Sequence, residues 1–203
     1  MKTRGEGGEF QAGELPGAEF LGGRLLIAMP AIGDPRFERS VILMCTHSAD
    51  SAMGVILNNP VDGLSLAELL ERLEVKWTSS PLDQLVLAGG PVERERGFVI
   101  HTDDFTTADA TLPVGDSMLL TPTREVLEAI ADDGRRPRRS VLALGCAVWG
   151  PGQLEQEIRD SAWLACDADE DLVFDDHYDT KWVRALAKIG VAVDHLSSQA
   201  GRA

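Results

Sequence analysis

Two apolar runs, Val41–His47 (VILMCTH) and Met53–Asn58 (MGVILN), are joined by a short polar link, Ser48–Ser51, that carries turn residues. Strand-forming runs on either side of such a link pair as an antiparallel hairpin. Arg24–Met29, Ser117–Thr121 and Ser140–Leu144 are further strand candidates, and Leu172–Phe174 and Val191–Val193 are weaker ones. Leu85–Ala88 and Phe98–Thr102 flank Gly89-Gly90-Pro91 and the charged stretch Glu93–Gly97. They read as a second hairpin, with the glycines at a turn that needs positive φ.

Four segments carry the helical period. In Ser65–Val75, Leu66, Leu69, Leu70 and Leu73 make one apolar stripe, and Ser65 with Glu68 has the spacing of a capping box. A helix opening at Thr121-Pro122, with the proline in its first position, buries Val126, Leu127 and Ile130. Another follows Gly150-Pro151-Gly152 with Leu154, Ile158 and Ala162 on one face. The last aligns Trp182, Leu186 and Ile189 and stops at Gly190. Hairpins mixed with separate helices imply an α+β fold, with a doubly wound α/β sheet as the alternative.

A chain of 203 residues with 44% hydrophobic side chains suits one globular domain with tails. Residues 1–20 read as a flexible acidic tail, residues 21–196 as the domain, and residues 197–203 as a flexible polar tail. The net charge of −14 is concentrated between Glu155 and Asp179, where Arg159 stands among ten carboxylates. That surface repels nucleic-acid phosphates and anionic lipid. No apolar run approaches the ~20 residues that span a bilayer. The N-terminus lacks the apolar core of a signal peptide, so the expected compartment is the cytosol. Three scattered cysteines, Cys45, Cys146 and Cys166, read as reduced thiols.

Few segments suggest chemistry. No phosphate-loop pattern accompanies Gly89-Gly90-Pro91. Cys45 and His47 would share a strand face, but no second ligand pair completes a metal site, so neither metal nor cofactor is expected. The pattern around Cys146 predicts the end of a strand leading to a helix, but its glycine spacing does not fit a nucleophile elbow. Arg135–Arg139 is a basic loop, either solvated or suited to a phosphate or an acidic partner. The acidic run Asp167–Asp171 lacks the glycine and glutamate of a calcium loop.

Several segments, taken in order, resemble the AlgH/YqgE family of bacterial proteins. They are Leu26–Pro30, Asp34-Pro35-x-Phe37-x-Arg39-Ser40-Val41, Cys45-x-His47, Met53-Gly54-Val55-x-Leu57-Asn58-x-Pro60 and Gly89–Val92. Gly97–His101, Trp149-Gly150-x-Gly152-Gln153-Leu154-Glu155-x-Glu157-Ile158, Ala162–Leu164 and Trp182 complete the set. The resemblance implies a bent, largely antiparallel sheet flanked by about four helices, in a bacterial cytosolic protein. Relatives are often labelled transcriptional regulators, and no catalytic residues are established for them. Relatives tend to carry an aromatic residue where this chain has Cys146, which argues against that thiol as a nucleophile.

Two functions follow as expectations. The first is a non-catalytic protein that regulates through a protein partner, because no basic recognition helix is present for direct nucleic-acid contact. The second is a small-molecule binder or an unrecognised enzyme. Its candidate site is Asp34, Arg39, His47, Asn58, Gln153 and Glu157, polar residues at strand ends, turns and a helix start, where pockets form.

Overall fold

The computed structural model describes residues 21–77, 83–107, 110–193 and 196; the stretches expected as tails, 1–20 and 197–203, lie outside the described residues. The first hairpin is present as β2 (Val41–His47) and β3 (Ala52–Ile56), paired antiparallel. β1 (Arg24–Ala28) pairs on the outer side of β2, and β10 (Trp163–Asp167) on the outer side of β1.

The second hairpin does not form. β5 (Leu85–Ala88) and β6 (Val92–Thr102) both pair with β9 (Ser140–Trp149), β5 parallel and β6 antiparallel. β9 therefore lies between them and continues past the expected end at Leu144 to pair with β3. The chain crosses from one side of β9 to the other at Gly89-Gly90-Pro91. A Cβ at Gly90 would fall on the Cys146 backbone, and one at Gly145 would lie 2.6 Å from the Gly90 carbonyl. The glycines serve this backbone-on-backbone crossing rather than a hairpin turn.

β4 (Pro60–Ser65) pairs with β5, while β8 (Met118–Thr121) joins β6 to β7 (Leu112–Val114). The sheet curls, so that a Cβ at Gly23, ahead of β1, would lie only 2.5 Å from the Cα of Gly115 in the β7–β8 turn. Side chains alternate between two buried faces. Val41, Leu43 and Cys45 join the core under the last helix, while Ile42 and Met44 join a second core with Leu154. Burial on both faces is why β2 reads as an unbroken apolar run.

The helices are α1 (Leu66–Arg72), α2 (Arg124–Ile130), α3 (Gln153–Arg159), α4 (Glu170–Phe174) and α5 (Tyr178–Lys188). α1 carries the expected capping box. α2 starts at Arg124 with Thr123 as its cap, so Pro122 precedes the helix instead of opening it. Leu172–Phe174 is helical, not a strand, because the Asp169 carboxylate caps the Leu172 amide. Val191–Val193 is not a strand. β4, β7 and β10 are strands that the sequence pattern did not mark. Among the described residues no helix is long and apolar enough to cross a membrane.

Candidate functional site

The loop between β1 and β2 separates two clefts that share Ile32 and Gly33 as a common wall. Its conformation is fixed from several sides. Asp34 caps the 3-10 turn Pro35–Phe37 by accepting from the Arg36 amide and binds the Arg36 guanidinium. Those hydrogen bonds to Arg36 hold the Asp34 carboxyl below its ordinary value. The Phe37 ring packs edge-on against Trp163, with centroids 5.7 Å apart. Asn58 clamps the far end: its amide donates to the Arg39 carbonyl at 2.9 Å, and its oxygen accepts from the Val41 amide at 2.8 Å. Arg39 is held with φ of 53°, in the left-handed region that a non-glycine residue rarely adopts.

The first cleft, of about 490 Å³, is lined by Met29, Pro30, Pro35, Arg39, Trp182 and Leu196, among others. The exposed Arg39 guanidinium lies over the Trp182 ring, 5.6 Å from its centroid. The indole N–H of Trp182 donates to the Ala28 carbonyl at 2.8 Å, which fixes the ring plane beneath the cation. Among the described residues no carboxylate lies within ion-pairing distance of Arg39.

The second cleft, of about 460 Å³, is lined by Asp34, Arg36, Phe37, Trp149, Gln153 and Glu157, among others. One Glu157 carboxylate oxygen accepts from the indole N–H groups of both Trp149 and Trp163, each at 2.8 Å. The other accepts from the Gln153 amide at 2.9 Å.

Of the six residues singled out from the sequence, Asp34, Gln153 and Glu157 meet in the second cleft and Arg39 lines the first. Asn58 positions Arg39 without lining either cleft. His47 lies apart. Its Nδ1 accepts from the Leu21 amide at 3.0 Å, so its Nε2 carries the proton and donates to Glu155 at 2.9 Å. Both ring nitrogens are occupied, which leaves no lone pair for a substrate. A bulge at Cys45 in β2 also separates it from His47: Cys45 joins the inner core, while His47 turns toward α3.

Burial pushes the Cys45 thiol up to about 12 and also raises Cys146 and Cys166, the reverse of what an activated nucleophile needs. Cys146 lies within β9, not at a strand–helix elbow. The basic loop meets acidic partners on α4, with Arg138 pairing to Glu170 and Arg139 to Asp171. Among the described residues no group of three or more His, Cys, Asp or Glu is placed to hold a metal ion.

Two polar arrangements carried no sequence signal. The fully buried Lys181 ammonium donates to the Leu172 and Asp175 carbonyls and pairs with the Asp175 carboxylate. Its position beside Trp182 in an amphipathic helix gave no hint of burial. The buried His101 ends a hydroxyl chain. Its Nδ1–H donates to the Thr102 carbonyl, so Nε2 accepts from Thr121, which in turn accepts from Thr111.

The AlgH-like family model, DUF179, matches residues 25–194. A UPF0301 protein of Caulobacter vibrioides is 60% identical over 185 residues, covering 91% of this chain and 95% of the relative. One from Bradyrhizobium diazoefficiens is 50% identical over 193 residues, covering 92% and 90%. The solution structure of the AlgH protein from Pseudomonas aeruginosa superposes with a TM-score of 0.72 at 37% identity, covering 94% of this chain and all of that one. A Corynebacterium diphtheriae protein shares the fold, with a TM-score of 0.67 at 24% identity over 83% of this chain and 87% of that one. On the span of the sequence match and the agreement of the fold, the chain belongs to the AlgH-like family.

Proposed function

We propose that this protein is a non-catalytic binding protein that takes an anionic group, a carboxylate or a phosphate, in the cleft at Arg39. The observation that carries this reading is the Arg39 guanidinium laid on the Trp182 ring at the mouth of a cleft. A guanidinium held over a ring by a cation–π contact keeps its N–H donors for two-pronged recognition of an oxyanion. The left-handed backbone at Arg39 and the Asn58 clamp support it, because strain that the surroundings hold in place is commonly found at ligand sites.

A regulatory role would run through a protein partner in the cytosol rather than through DNA. The chain carries a net charge of −14, and the first turns of α3 and α4 bear Glu155, Glu170 and Asp171. The test is a thermal-shift and calorimetric screen with di- and tricarboxylates and phosphate esters. A saturable response should weaken at least ~10-fold in Arg39→Ala. It should survive in Arg36→Ala, whose guanidinium is already committed to Asp34. No response across the panel, or one indifferent to Arg39, rejects the reading.

A further inference from the structure

The second cleft has the opposite polarity, and its charge is unbalanced. Asp34 and Arg36 cancel each other, with the guanidinium Nε 3.0 Å from both carboxylate oxygens. Glu157 also lines the cleft, and among the described residues no cation lies within ion-pairing distance of it. Its partners are the neutral donors Trp149, Trp163 and Gln153. A neutral amide oxygen at position 157 would serve both indoles as an acceptor. The carboxylate adds a charge that no cation among the described residues offsets, and a half-buried charge without a counterion is unfavourable.

The neighbouring groups suit a cation. Three hydrogen bonds orient Glu157 and use three of the roughly four acceptor positions of a carboxylate. Phe37 and Trp149 line the same cleft, and both pack edge-on against Trp163. An aromatic wall beside a carboxylate is the chemistry that recognises ammonium groups. We propose that the Glu157 cleft binds a cationic nitrogen group, an alkylated ammonium on a small molecule or a lysine side chain of a partner. The proposal does not depend on an anion at Arg39.

The test follows the Trp149 and Trp163 indole N–H signals of the full chain by NMR during titration. Choline, a short lysine peptide and the neutral choline isostere 3,3-dimethyl-1-butanol are the three probes. A saturable shift with choline or the peptide and none with the isostere is the expected result, and the tighter of the two cations names the source. Glu157→Gln, checked for folding by circular dichroism, should weaken binding by about 10-fold. Equal shifts from the neutral isostere, or no saturable shift from either cation, would overturn the proposal. The isostere comparison needs only the wild-type chain, so it stands even if the variant fails to fold.

Discussion

The backbone of Gly90 lies against the backbone of Cys146, so closely that a Cβ at position 90 would fall on the Cys146 carbonyl. The chain can pass from β5 to β6 over β9 only because there is no side chain at this point. The neighbour is backbone in the middle of a paired strand, so it cannot move aside.

Gly90→Ala should therefore cost about 3 kcal/mol or more of folding stability, in the range of severe core disruptions. Gly152→Ala is the matched control. It also has positive φ, at 69°, but open space surrounds its Cβ position. Only the backbone penalty of about 1 kcal/mol applies there. Urea denaturation of both variants gives the comparison, and equal losses would mean that the crossing is not sterically tight.

The same crossing shows what the sequence could and could not reveal. The β2–β3 hairpin and the capped α1 were legible because their determinants are local: a short link, and a Ser65–Glu68 pair three residues apart. The pairing of β5 with β9 was not, because the strand that separates β5 from β6 lies far along the chain. The three consecutive apolar residues Leu172–Phe174 suit a strand or a buried helix equally, and the Asp169 cap that decides between them was hidden in an acidic run. Of the candidate site, Arg39 and Glu157 were recognisable as polar residues near turns. What sets them apart is the ring beneath Arg39 and the two indoles on Glu157, and those are tertiary contacts.

Glu157→Ala removes the acceptor for two buried indole N–H groups at once. Each unsatisfied donor costs roughly 1–3 kcal/mol, so the loss should be about 2–6 kcal/mol. Glu157→Gln keeps an acceptor and should cost about 1 kcal/mol. Denaturation midpoints followed by tryptophan fluorescence test the order. A Gln variant as damaged as the Ala variant would show that charge, and not acceptance, holds the indoles.

Lys181→Met replaces a fully buried ammonium with an apolar chain of similar length. It strips the Leu172 and Asp175 carbonyls of their donor at the C-terminus of α4 and leaves the Asp175 carboxylate to Arg184 and the His177 amide. Removing one partner of a buried pair is strongly destabilising, here about 3 kcal/mol. Amide exchange should accelerate first in α4, whose end the lysine ties down. A loss below about 1 kcal/mol, with α4 still protected, would mean that water replaces the ammonium.

His101 sets a pH dependence distinct from that of the carboxylates. Burial pushes its imidazole below the ordinary value of 6.5, and the Thr102 carbonyl and Asp104 oppose this without overcoming it. The folded state thus favours the neutral ring, whose Nε2 must stay unprotonated to accept from Thr121. In the unfolded chain the ring takes a proton near pH 6.5, so its contribution is intact above that pH. It is lost as pH falls below 6.5 and levels off once the folded ring protonates too, with a slope of at most about 1.4 kcal/mol per pH unit. Asp104, Asp169 and Asp175 have carboxyls held below 3.8, so they add a second loss only in more acid solution. Urea denaturation between pH 7.5 and 3 should show two stages, with the upper one smaller in His101→Gln. An upper stage of unchanged size in that variant would place the titration on another group.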